Sequence, residues 1–309
     1  MRFRIESWDE SIQSTWDELI FKAVVDHNEY RLLKLDNANV LDIGAHIGSF
    51  AYIAHMSGAS RIYCYEANRE NFELLKENMR DFAEIEVHNY AVWRSDVAVD
   101  QVFFQWHLNR AMTGSGGVLF TEGIAVPAVK FDDIVLKIGT VDLLKIDAEG
   151  SEFPILFTSQ RLNQINEIVG EYHEIYDIPT ELNIEKHPQF TVQALIQHLQ
   201  KSGFNVEFEH LAENLGKFHA WRPGVKLLSN LLILERSIQE LKELAEVANV
   251  KAEEANAKAE VANVKAEEAN AQLQSVYASY SWLITVPLRI IHRIYLHVRK
   301  KIKTGIILD

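Results

Sequence analysis

The segment Val40-Leu41-Asp42-Ile43-Gly44-Ala45-His46-Ile47-Gly48-Ser49-Phe50 decides how this 309-residue chain is read. Its apolar start suits a buried strand. Gly44 then allows a tight turn, and Phe50–Met56 continues as a helix whose first N–H groups are free to meet a ligand. Gly48 is expected to let that helix pack close to the strand. About twenty residues past the turn, Glu66 closes a second β-rich run, Arg61–Tyr65. An acidic side chain there can accept both hydroxyls of a ribose.

The glycine spacing is D-x-G-x-x-x-G rather than G-x-G-x-x-G. A dinucleotide needs the middle glycine so that its pyrophosphate can sit against the turn. S-adenosylmethionine has no phosphate, and its sulfonium and ammonium suit an acidic rim such as Asp42 and Glu66. The turn therefore favours that cofactor over a nicotinamide dinucleotide. A glycine turn in some other doubly wound domain stays open on this pattern alone.

Outward from the turn, short apolar runs alternate with amphipathic stretches. Glu70–Phe82 carries Phe72, Leu75, Met79 and Phe82 at helical spacing, and Ile85–Ala91 reads as a strand. This β-α-β-α-β order predicts an α/β fold, a Rossmann-like, mostly parallel sheet with helices on both faces. Residues 96–130 interrupt the alternation. A strand is expected around Val97, Val99 and Val102, then a loop at Thr113–Gly117 suited to a substrate site, then a strand at Ile124–Val129. Val141–Ile146 and Ile165–Glu171 read as central strands, Thr191–Ser202 as a helix ended by Gly203, and Phe204–Phe208 with Asn230–Leu234 as closing strands. Residues 1–36 read as a helical cap, with a helix from about Ser14 to Val25, ahead of a domain over 37–236.

Beyond that domain, residues 246–259 recur almost unchanged at 260–272, a period of two heptads. With position a at Ile238, every a and d residue through Val276 is apolar, mostly alanine. This is a coiled-coil pattern with a thin core, over 237–278. It leaves a solvated spacer and a homo-oligomer stalk over 238–276 equally open.

The net charge is −13, which argues against a nucleic-acid surface spread over the protein. The balance is uneven. Residues 269–308 hold six Lys or Arg and no Asp or Glu. The remaining 25 basic and 43 acidic residues, Asp309 aside, give residues 1–268 a charge of −18. Cys64 is the single cysteine, so no internal disulfide forms, as suits a reducing compartment. Met1–Gln13 lacks the apolar core of a secretion signal, and no apolar run reaches transmembrane length. A cytoplasmic protein is expected.

Four blocks resemble the FkbM family of S-adenosylmethionine-dependent methyltransferases. They are Val40–Gly48; Tyr65–Asn71, similar to the family's E-P-x-x-x-N pattern with Ala67 in place of proline; His88–Val92; and Val141-Asp142-Leu143-Leu144-Lys145-Ile146-Asp147-Ala148-Glu149-Gly150-Ser151-Glu152, the most specific. Glu171 and His173 also fit. The resemblance covers roughly residues 38–235. It implies a class I methyltransferase fold and methyl transfer to an oxygen of a sugar, polyketide or similar small molecule. Carried over by residue, Asp42, Gly44 and Gly48 would face the methionine part of the cofactor and Glu66 its ribose, the Asn89–Ala91 turn would lie near its adenine, and Ala45, His46, Ala67 and Asn68 would belong to the same cofactor site.

The K-I-D-x-E-G string also reads physically. Ligands of such folds sit beyond the carboxyl ends of the strands, where Asp147 and Glu149 land. Ser151 is placed to cap the next helix, with Pro154 in its first turn. Methyl transfer from a sulfonium needs alignment and removal of a proton. Asp147 is the first candidate for base or acceptor-positioning group, followed by Glu149 and His173. Lys145 is either catalytic or a structural partner of these carboxylates. Asp147, Glu149 and His173 are metal-ligand types, but their spacing demands no ion, and none is expected.

The tail, 279–309, begins with Ser279–Arg289, which resembles a short segment at the ends of bacterial glycosyltransferases and other polysaccharide-assembly proteins. Downstream, Leu288, Ile291, Ile294, Tyr295, Val298 and Ile302 form one apolar stripe amid the six basic residues. A basic amphipathic helix of this kind is expected to meet an anionic membrane surface through 282–303, at the inner face of the membrane; a helix packed on a partner protein is the alternative. The leading expectation is an O-methyltransferase acting on a small-molecule or glycan acceptor in surface-polysaccharide synthesis. A non-catalytic S-adenosylmethionine-binding scaffold and an NAD-dependent oxidoreductase are the alternatives.

Overall fold

The computed structural model describes residues 1–3, 15–106, 113–176, 178, 180, 184 and 189–229. The chain divides into the units Met1–Leu232 and Ile233–Asp309, and every described residue belongs to the first. The Asn230–Leu234 strand, the heptad repeat and the basic tail lie outside the described residues. Among the described residues no helix is long and apolar enough to cross a membrane.

The central sheet has seven strands. They are β1 (Asn39–Ile43), β2 (Arg61–Tyr65), β3 (Ile85–His88), β8 (Val141–Ile146), β9 (Ile165–His173), β10 (Asn205–Ala212) and β11 (Leu215–Trp221), in the order β10-β11-β9-β8-β1-β2-β3. β3 through β9 run parallel, while β11 pairs antiparallel with both β9 and β10. Strands buried on both faces must be apolar along their whole length, and Val40, Leu41, Ile62, Leu143, Leu144 and Ile146 are fully buried. Helices α2 (Ser49–Met56), α3 (Arg69–Met79), α5 (Glu152–Thr158) and α6 (Val192–Lys201) connect them. The chain winds outward from β1 to β3 and then returns to the other side of β1 as β8. The order therefore reverses between β1 and β8, and a crevice opens there at the carboxyl ends of the strands.

Several elements depart from the sequence reading. The helix near the N-terminus is α1 (Trp16–Phe21), capped by a Thr15–Glu18 capping box and running into a wider π-turn at Lys22–Asp26. Ile85–Ala91 is not one strand: β3 ends at His88, and β4 (Ala91–Trp93) enters a second sheet, with order β4-β7-β5-β6. That sheet also holds β5 (Gln101–Trp106), β6 (Gly116–Phe120) and β7 (Ile124–Lys130). Val97 and Val99 lie before β5, while Gly116 and Gly117 open β6 instead of forming a loop. The sheet has its own apolar cluster around Trp93, Phe104, Val118 and Val126. Helix α4 (Phe131–Ile138) was not foreseen, although Phe131, Ile134 and Val135 make its buried stripe. β11 was also missed.

Two local readings change. Ser151 makes no capping bond; the buried Glu152 side chain instead accepts from the N–H groups of Ala148 and Gly150 at 2.6 and 2.8 Å. Gly48, at φ +98°, is small for α3 rather than for the strand, since a Cβ there would lie 2.8 Å from Met79 Cε and 2.9 Å from Leu75 Cδ1.

Candidate active site

A cleft of about 860 Å³, part of it open to solvent, occupies the crevice between β1 and β8. Gly44–His46 form its floor, Tyr65–Ala67 and Ala91–Val92 one side, Lys145 and Asp147–Glu149 the other. The second sheet contributes Phe104 and Gly116–Val118, and the N-terminal segment adds Ile20, Val24 and Tyr30.

The floor is fixed by main-chain geometry. The N–H groups of Gly44 and Ala45 both bond to Tyr65 O at 3.0 Å. Gly44 has φ +75°, and a Cβ on it would lie 1.8 Å from the carbonyl oxygen of Asp147. Glycine is required there because two strand ends touch, not only because a ligand approaches. Beneath the turn, Lys145 (4% exposed) donates to Gly44 O at 2.7 Å and to Ile43 O at 3.3 Å, and pairs with the fully buried Asp42 at 3.3 Å. Burial pushes the Asp42 carboxyl up, with Lys145 pulling it back. Lys145 itself is raised: burial works against its charge, but Asp42 and Asp147 outweigh it.

Glu66 presents its carboxylate to the cleft while its oxygens accept from the His46 and Asn68 N–H groups, each at 2.8 Å. Burial raises its carboxyl despite those bonds. Asn71 Nδ2 adds a longer bond to Oε1 at 3.4 Å. A carboxylate has about four acceptor positions, so one remains, on Oε2, for a ribose hydroxyl. Asn68 caps α3 through bonds from Glu70 N and Asn71 N, and Asn89 Nδ2 donates to the carbonyls of Glu66 and Ala67. Both build the strand end rather than line the cleft, and Asp42 and Gly48 likewise lie off its wall. Of the expected cofactor contacts, Gly44, Ala45, His46, Glu66, Ala67 and Ala91 do line it. His46, at φ +51°, reaches Thr113 Oγ1 at 2.8 Å, and that hydroxyl donates to the buried Asp17 at 2.6 Å. This chain of bonds ties the N-terminal segment and the second sheet to the cofactor turn.

On the opposite wall, Asp147 follows β8 and lies 4.0 Å from Lys145. Glu149, at φ +53°, is pushed up to about 8 by burial, with His173 opposing and Asp147 adding to the rise. His173, at the end of β9, lies 3.6 Å from Glu149 and 3.3 Å from Glu152. It does not line the cleft directly. Burial disfavours its charge, yet Glu152 and Glu149 raise it to about 10. Glu171, two residues earlier on the same strand face, is raised to about 8, first by burial and then by Asp147. Sequence reasoning noted Glu171 only as a family match. Its cross-strand position beside Asp147 follows from the Ile146–Gly170 register.

The methyltransferase FkbM domain model matches residues 42–215. The chain belongs to the FkbM methyltransferase family. It is an S-adenosylmethionine-dependent methyltransferase. No curated protein matches it. Among solved structures, the methyltransferase FkbM from Methylobacillus flagellatus KT is similar at 14% identity and a TM-score of 0.38, covering 60% of this chain and 44% of that one. Precorrin-6y C5,15-methyltransferase from Geobacter metallireducens GS-15 is similar at 15% and 0.35, covering 65% and 87%.

The cleft of this FkbM methyltransferase fits its cofactor. Ser49 Oγ and Ser151 Oγ lie buried on its wall without a hydrogen-bond partner. A polar ligand would satisfy both, since buried polar groups are seldom left unpaired. Glu66 would hold a ribose hydroxyl, Ala91 and Val92 would flank the adenine, and the Gly44–His46 turn would face the methionine part.

Proposed function

We propose that this enzyme methylates a hydroxyl oxygen of a sugar or similar polyhydroxylated small molecule. The observation that carries this reading is the edge beside the cofactor cleft: Asp147 and Glu149 line the cleft itself, and Glu171 and His173 stand behind them, so carboxylates able to bond a hydroxyl gather next to the donor side. Bound S-adenosylmethionine supplies a methyl group already activated on a sulfonium. The protein's part is to orient the acceptor and receive its proton. The acceptor oxygen bonds to the methyl carbon, the carbon–sulfur pair stays on sulfur, and the hydroxyl proton passes to a carboxylate of this edge. Asp147 is the first candidate for that role, with Glu149 next; His173, held charged by Glu152 and Glu149, orients them. The Gly44 turn, held from beneath by Lys145, fixes the donor side.

Surface-polysaccharide synthesis as the setting, with the 282–303 tail on an anionic membrane and the 238–276 helix as spacer or stalk, is supported by the sequence pattern alone. The test is an acceptor screen. Purified protein with labelled S-adenosylmethionine is offered sugars, glycan fragments and amines, and products are read by mass. Transfer to a hydroxyl that is lost in Asp147→Ala/Glu149→Ala supports the reading. Transfer to nitrogen or carbon only, or full activity in that double variant, would refute it.

A further inference from the structure

The acidic edge contains a more specific arrangement. Asp147, Glu171 and His173 each offer one ligand atom, and the three atoms lie within 4.8 Å of one another. They come from two neighbouring strands: Asp147 just past the end of β8, and Glu171 and His173 on one face of β9. Residues two apart on a strand share a face, so the β8–β9 register alone brings the set together.

We propose that Asp147, Glu171 and His173 hold a divalent cation, with manganese or magnesium as the chemical class, which receives the acceptor hydroxyl beside the methyl donor. Two carboxylates and one imidazole suit such ions. At ligand distances of about 2.1 Å, neighbouring ligands of an octahedral ion are about 3.0 Å apart and opposite ones about 4.2 Å. The three side chains would therefore draw together around the ion.

Two independent observations point to a ligand here. The first is Tyr30. It is 3% exposed and lines the cleft. Asp147 and Glu171 are the charges acting on it most strongly. A phenol on the cleft wall within the field of these two carboxylates is suited to bond the ion's water or the acceptor. The second is the support of His173. Its Nδ1 faces Glu152 Oε1 at 3.3 Å, and Glu152 is fully buried and held by two backbone N–H groups. A histidine ligand is commonly oriented by a carboxylate on its other nitrogen.

The nearby lysines do not occupy this position. Lys145 is committed to Asp42 and Gly44 O, and Lys217 to Glu29. Lys217 acts on the Glu171 carboxylate only at a distance. With the cation in place, the acceptor oxygen would be polarised by the ion, and Glu149, which is outside the triad and lines the cleft, would take the proton.

The inference rests on the hydroxyl-acceptor reading above, but its test does not need an acceptor. Chelator-treated full-length protein is titrated with manganese by calorimetry, alongside Glu171→Gln and, as a remote control, Glu77→Gln. One site of micromolar affinity in wild type and control, weakened at least tenfold in Glu171→Gln, is expected. S-adenosylhomocysteine binding is measured in all three, and its retention in Glu171→Gln shows that the cofactor half is intact. Absence of manganese binding below millimolar, or equal affinity in Glu171→Gln, overturns the proposal whatever the cofactor does. A second readout uses wild type alone: the ring signals of His173 should be the first histidine resonances broadened by substoichiometric manganese. Earlier broadening of another histidine also overturns it.

Discussion

Replacing Lys145 with methionine tests how the cofactor turn is held. The Lys145 side chain is 5% exposed and that of its partner Asp42 0%, with 3.3 Å between them. Removing one member of a buried pair leaves an uncompensated charge and costs about 3–5 kcal/mol. Lys145→Met also removes the donors from Gly44 O and Ile43 O, so the upper part of that range is expected, or about 10 °C in Tm for a domain of this size. The pH dependence has a definite sign. Burial already raises the folded-state Asp42 carboxyl, and losing Lys145 raises it further. A group raised in the folded state contributes stability that is complete below its unfolded value and lost as pH rises through its folded value. The deficit of Lys145→Met should therefore be largest near pH 8 and shrink as pH falls toward about 4. Asp42→Asn/Lys145→Met, with no charge to strand, should recover much of the loss and flatten the profile. Urea unfolding of the three proteins from pH 8 to pH 5 reads this directly. A deficit under about 1 kcal/mol at pH 7.5, or one unchanged across the series, would show that Lys145 is not the support described.

Three further outcomes are expected. Gly44→Ala should lose about 3 kcal/mol and all S-adenosylhomocysteine binding, because its Cβ would meet main chain and φ is positive, whereas Gly48→Ala meets only flexible side chains and should lose less; equal Tm values would contradict this. Glu66→Gln should weaken S-adenosylhomocysteine at least tenfold by calorimetry, and unchanged affinity would remove Glu66 from the cofactor site. Glu149, raised to about 8, contributes stability that is complete below pH 4.5 and lost as pH rises through 8. In chelator-treated protein the wild-type Tm should thus fall more steeply between about pH 5 and 8 than that of Glu149→Gln, and parallel slopes would count against it.

Much of this molecule is legible in the sequence, and for identifiable reasons. β2 and β8 were read with their observed ends because strands buried on both faces are continuous apolar runs bounded by charge or glycine. Glu66 and the Asp147–Glu149 edge were found because strand ends are where such sheets place ligands. The second sheet was legible only in part: Ile124–Val129 was read as the strand that is β7, but β6 was not, because Gly116–Gly117 look like loop signals, and nothing local shows that these strands form a separate sheet. The roles of Asp42 and Gly48 were misread because sequence shows that a residue is near the turn, not whether it points up to the cleft or down into the packing. Thr113 lines the cleft as its Gly-rich stretch suggested, but Tyr30 reaches it from the N-terminal segment, and no local pattern announces that.

The contact between Gly44 and the carbonyl of Asp147 means that the donor and acceptor halves share one piece of main chain. The interval between them is thereby a constant of the sheet, as rigid as the β1–β8 pairing itself. A change of acceptor cannot be met by sliding one half against the other. It falls to the parts clamped around the rim, Tyr30 from the N-terminal segment and the Gly116–Val118 edge of the second sheet, which can be exchanged while the reacting distance stays put.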